Sequence, residues 1–150
     1  MKMIMTPKIR REFKARAGWA HVGRQVVYFR SQFERRWAEY LEMLRRGKAI
    51  KAWQYESKTF WFENIRRGTR SYMPDFEVIN PDGSVCYYEC KGYLETKDVT
   101  KFRRLAQHHR VPLILVMQTI RDRDWYRLQK AKPYVIRIMD GGKALRKWGL

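Results

Sequence analysis

The chain has 150 residues, 45% of them hydrophobic and 15% aromatic. That is enough apolar material for a packed core, and it excludes an intrinsically disordered protein. Its 33 lysines and arginines against 15 aspartates and glutamates leave a net charge of +18. Such a balance points to a polyanionic partner, nucleic acid first and an anionic membrane or acidic protein second.

Residues 1–28 read as a basic arm. The first thirty positions hold eight basic side chains, Arg10, Arg11, Lys14 and Arg16 among them, and one acid, Glu12. No apolar run is long enough for a signal peptide or a membrane span, so no membrane association is expected. Cys86 and Cys90 are the only cysteines; a disulfide scaffold is not expected, and a reducing cytoplasm is the expected setting, that of the host cell if the chain is phage-encoded.

From Ser31 to Arg46 the pattern is helical, with Phe33, Trp37, Tyr40, Leu41 and Leu44 on one face. Ser31 and Glu34 stand in the capping-box arrangement S-x-x-E, and Gly47 is a natural stop. Ala49 to Tyr55 and Thr59 to Phe62 read as short strands. A basic loop follows, with Arg66, Arg67 and Arg70. Tyr72 to Ile79 and Val85 to Lys91 then flank Asn80-Pro81-Asp82-Gly83, a hairpin signal. Thr96 to Arg110 predicts a second helix with a basic outer surface that includes Lys97, Lys101 and Arg104. Leu113 to Met117 is a continuous apolar run of the kind a fully buried strand needs. A short helix (Asp122 to Lys130), a strand (Tyr134 to Met139) and a basic tail complete the chain. The order α-β-β-β-α-β predicts an α/β fold, a mixed sheet flanked by helices.

The hairpin carries the sharpest inference. Pro81, Asp82 and Gly83 suit a three-residue loop that pairs Asn80 with Ser84. Counting outward then sets Asp75 opposite Glu89, with Lys91 on the same face, about 7 Å along the strand. A loop one residue longer or shorter would turn Asp75 to the other face. Two carboxylates and a lysine so placed suit Mg²⁺-assisted phosphodiester hydrolysis, because Mg²⁺ is a hard ion that takes oxygen ligands. The plain alternative is a cross-strand ion pair on a solvated face. Zinc is not expected, since Cys86 and Cys90 would lie about 13 Å apart on a strand and face away from the acids. Trp61, Trp125 and Trp148 are the aromatic side chains singled out for stacking on exposed bases.

Tyr72-Met73-Pro74-Asp75-Phe76, followed by Glu89-Cys90-Lys91-Gly92, resembles the PD-(D/E)XK nuclease motif. Phe29-Arg30-Ser31-Gln32-Phe33-Glu34 resembles the first-helix motif of the phage endonuclease I branch of that superfamily, and Tyr55-Glu56 fits the strand after it. These enzymes resolve Holliday junctions and other branched DNA; the archaeal-type junction resolvases are also similar. The resemblance runs from about Phe29 to Val116. It implies a restriction-endonuclease-like fold over residues 29–150, with a basic C-terminal extension. It further implies Asp75 and Glu89 as metal-binding acids, the backbone carbonyl of Cys90 as an extra ligand, and Lys91 as the catalytic lysine. Glu34 would complete a second metal site, in competition with its capping role. Mg²⁺, with Mn²⁺ able to substitute, would be the cofactor, and no small-molecule cofactor is implied. The expected substrate is a four-way junction cut symmetrically, hence by a homodimer. Arg10, Arg11, Lys14, Arg16, Arg30, Ser31, Arg66, Arg67, Arg70, Lys97, Lys101 and Arg104 are the expected DNA contacts. Two other readings remain open: a nicking, mismatch-repair or restriction-like nuclease of duplex DNA, and a non-catalytic DNA-binding or packaging protein.

Overall fold

The structure, a computed structural model, describes residues 17–150. Arg10, Arg11, Lys14 and Arg16, expected as DNA contacts, lie outside the described residues.

The last part of the expected arm is a β-hairpin, β1 (Gly18–Val22) and β2 (Gln25–Phe29), in antiparallel register from Gly18↔Phe29 to Val22↔Gln25. The expected boundary at residue 28 falls inside β2. Gly23, at φ +60°, opens a two-residue turn that such hairpins require of a glycine. Helix α1 (Gln32–Arg46) follows, capped by Ser31 Oγ, which accepts from Glu34 N at 3.1 Å.

Strand β3 is Ala52–Tyr55, shorter at its start than expected because Ala49 and Ile50 are held by hydrogen bonds to Leu44 O. β4 (Phe60–Trp61) pairs with β5 (Ser71–Tyr72) in a small separate sheet, with the Arg66 and Arg67 loop between them. The expected continuous strand Tyr72–Ile79 is broken. Pro74 offers no N–H to a ladder, so the chain enters β6 (Phe76–Ile79) afresh after Asp75. β7 is Val85–Lys91. Helix α2 (Thr96–His108), strand β8 (Leu113–Met117), helix α3 (Trp125–Ala131), strand β9 (Arg137–Asp140) and helix α4 (Gly141–Lys147) complete the order. The expected basic tail is therefore in part a helix.

The architecture is α/β, a mixed five-stranded sheet of order β3-β6-β7-β8-β9 flanked by helices. The β3–β6 and β6–β7 pairs are antiparallel, whereas β7–β8 and β8–β9 are parallel. α1, α4 and the hairpin cover one face, where Trp37, Phe76, Val78 and Val116 are fully buried. α2 and α3 cover the other, around Phe102, Leu105, Leu115 and Met117. β8 is buried at every position, as its unbroken apolar run requires. No helix among the described residues is long and apolar enough to cross a membrane.

Candidate active site

The hairpin register decides where the acids go. Asn80 N donates to Ser84 O at 2.8 Å, and the ladder runs Ile79↔Val85 to Phe76↔Tyr88. One further step sets Asp75 against Glu89. Both are buried, and both lie where β6 begins and β7 nears its end. Asp75 N donates to Glu89 Oε2 at 3.1 Å, and Asp75 Oδ2 accepts from Cys90 N at 2.8 Å. The two backbone groups of a strand residue leave on one edge, so the Cys90 carbonyl is directed to the side of Asp75 as well.

Glu34 arrives from the other layer, in the first turn of α1. Its backbone N–H takes the Ser31 cap, yet its carboxylate is used elsewhere: Oε2 accepts from Tyr55 Oη at 3.1 Å. Half of the capping box is made, and the other half is given up to point the acid at the strand end. Tyr55 thereby joins the site as the group that aims Glu34. Burial and the nearby Glu34 charge both push its phenol up, so it remains a donor.

Lys91 is held between two acids, with Nζ at 3.5 Å from Glu89 Oε1 and 3.0 Å from Asp98 Oδ1. Asp98 is buried in the first turn of α2, where its Oδ2 also accepts from Glu95 N at 2.8 Å. Asp98 lies outside the nuclease-like motif. Its signal was the pair Glu95-x-x-Asp98 at a helix start, just after the lysine.

The electrostatics follow from this crowding. Burial, then the charges of Glu89 and Glu34, push the Asp75 carboxyl well above the usual carboxylate range. Glu89 is raised less far. Burial lifts it, while Lys91, the Tyr72 hydroxyl and the Asp75 N–H pull it back. Tyr72 Oη is buried beside it without closing a hydrogen bond of strict geometry, so its pull is that of a nearby hydroxyl dipole. Burial lowers the Lys91 amine, but Glu89, Asp98 and Asp75 outweigh it and hold the group above its ordinary value. Lys91 is therefore an ammonium at neutral pH.

A comparison with protein-family models finds none that matches the chain, and no curated protein is similar to it.

Among the described residues no three acidic, histidine or cysteine side chains converge on one point as a ready-made cation cage. The donor set is nonetheless one that Mg²⁺ accepts. It consists of hard oxygens from Asp75 and Glu89, with Glu34 near enough to raise both carboxyls. A cation there would relieve the repulsion that keeps Asp75 raised. Zinc fits poorly. Burial first, and then the charges of Asp75, Glu34 and Glu89, push the Cys90 thiol well above its ordinary value and away from the thiolate that zinc would need.

The expected DNA contacts are scattered, and several are already engaged. Arg30 pairs with Glu56 at 2.8 Å, and Lys97 with Glu95 at 3.1 Å. Arg104 donates to Thr69 O and Arg70 to Arg66 O, tying the arginine loop to α2 and to itself. Arg66 and Arg67 are exposed on that loop, Lys101 is half-buried, and Ser31 is the α1 cap.

Proposed function

We propose that the chain is a metal-dependent DNA endonuclease of restriction-endonuclease-like fold, acting on branched DNA as a homodimer. The observation that carries this reading is the placement of Asp75 opposite Glu89, with Lys91 locked between Glu89 and Asp98. An ordinary cross-strand ion pair is exposed, whereas these acids are buried and two of them are held above their usual range. Burying repelling carboxylates destabilises a fold, which makes such a cluster a candidate for chemistry.

Bound Mg²⁺, or Mn²⁺ in its place, would supply Lewis acidity and an activated water. Asp75, Glu89 and the Cys90 carbonyl are the groups that would hold it, and Glu34, aimed by Tyr55, is the acid for a second ion. Lys91 acts as a fixed ammonium: it offsets charge gathering on the phosphoryl oxygens and orients the attacking water. Its raised pKa argues against service as a neutral base. The net charge of +18 supports a nucleic-acid substrate. Symmetric cutting of a four-way junction needs two such sites, hence two copies of the chain.

The test is cleavage of a labelled four-way junction beside a linear duplex of the same sequence, in Mg²⁺. Preferential, paired incision of the junction is expected. Equal cutting of both would replace the branched substrate with duplex DNA, and no cutting of either would remove the nuclease reading.

A further inference from the structure

We infer that the groove between α2 and α3 is the track for a DNA strand leaving the active site, with Tyr126 as a stacking platform for an unpaired base. The groove has a volume of about 390 Å³. On the α2 side it is lined by Thr96, Thr100 and Arg103, and on the other by Arg123, Tyr126, Arg127 and Lys130. None of its lining residues is acidic. This reading rests on the nucleic-acid function proposed above and specifies where that substrate runs.

Three observations carry it. First, the groove runs along the helix whose first turn anchors the proposed catalytic lysine. Thr96 opens α2 two residues before Asp98, whose carboxylate holds Lys91. Arg103 lies seven residues beyond Thr96, about 10 Å along the helix. Second, its four cations have no acidic partner among the described residues. Among the described residues the ion pairs involve Arg30, Arg35, Arg45, Lys91 and Lys97, and none of the four groove cations. Of the basic residues expected from sequence to meet DNA, Arg30, Arg70, Lys97 and Arg104 are by contrast engaged. Third, Tyr126 is 62% exposed and has Lys130 Nζ 4.5 Å from its ring centroid. Lys130 lies over one face of the ring, so a base would stack on the opposite face with the groove cations beside its phosphates, and stacking tolerates any sequence.

The test uses the full chain and a short fluorescent oligothymidylate, in EDTA so that binding is read without cutting. Arg103→Gln with Arg127→Gln is compared with Lys48→Gln plus Lys51→Gln. The second pair removes the same charge at the opposite end of the sheet, beside the Pro81 loop. All four positions are exposed, so folding is preserved. The groove pair is expected to weaken binding on the order of tenfold more than the control pair, and to flatten the salt dependence by about 1.4, roughly 0.7 for each phosphate lost. Tyr126→Ala is expected to weaken it about fivefold or more, and Tyr126→Phe to restore it. Equal weakening by the two double variants, with equal salt slopes, overturns the groove. Junction cutting by the wild-type chain that the groove variants leave untouched overturns it too, while sparing the nuclease. Groove-dependent binding by a chain that never cuts supports the groove and overturns the nuclease reading alone.

Discussion

Asp75 is the residue on which the site's electrostatics turn. Its folded-state pKa lies above its unfolded value, so the native state binds this proton more tightly than the unfolded chain does. The sign follows: the metal-free protein loses stability as pH rises from the unfolded carboxylate range through the folded pKa. Asp75→Asn removes that charge while keeping an oxygen to accept from Cys90 N. In EDTA at neutral pH the variant should melt higher than wild type, by about 2–4 °C for each kcal/mol relieved, and it should not cut junctions in Mg²⁺. A variant that melts lower and fails to bind DNA would mean that Asp75 holds the fold. Lys91→Ala should slow cutting by about 10²–10³, the range for losing one fixed donor to a developing anion. Asp98→Asn tests the anchoring of that lysine. It withdraws a charge that raises Lys91, so the alkaline limb of the pH–rate profile should move to lower pH. An unmoved limb would separate Asp98 from the chemistry.

Among the elements, the β6–β7 hairpin and the start of α4 are the most exposed to test. Gly83 sits at φ +85°, where a side chain is strained. Gly83→Ala should destabilise by about 1 kcal/mol, read by chemical denaturation, without altering cutting per folded molecule. The α4 start is tighter. A Cβ on Gly141 would lie 2.6 Å from Val116 Cγ1 and 2.8 Å from Phe33 Cζ. Both are core residues with little freedom to yield, so Gly141→Ala should cost about 1–3 kcal/mol. That close approach was invisible in the sequence, where Gly141-Gly142 merely opened a basic tail. The helices α1 and α2 and the strand β8 were readable, because each buries one face, or both, and the apolar spacing records it. The short strands were not. β4 and β5 hold two residues each, too few for any period, and the break at Pro74 depends on which neighbour the chain meets next.

Over the whole molecule, charge sets the behaviour with DNA. A chain of net charge +18 that contacts six or more phosphates should lose on the order of a thousandfold in junction affinity between 50 and 200 mM salt. Fluorescence anisotropy across a salt series reads this directly, and a flat response would remove the polyelectrolyte account. Composition carried the sign and size of that effect but not its address. Lys97, Arg30, Arg70 and Arg104 looked like DNA contacts in the sequence, and each turns out to be engaged with another part of the chain.

By itself the sequence determined whatever depends on neighbours along one strand or one helix. The pairing of Asp75 with Glu89 follows from a three-residue loop, since side chains alternate with a period of two and the count leaves no freedom. Tertiary structure alone decided what arrives from elsewhere. Glu34 is swung from its cap by Tyr55, Lys91 is pinned by Asp98 from the next helix, and four cations without an acidic partner among the described residues come together between α2 and α3. Those arrangements join residues that no local spacing links, so only the packing of layers brings them together.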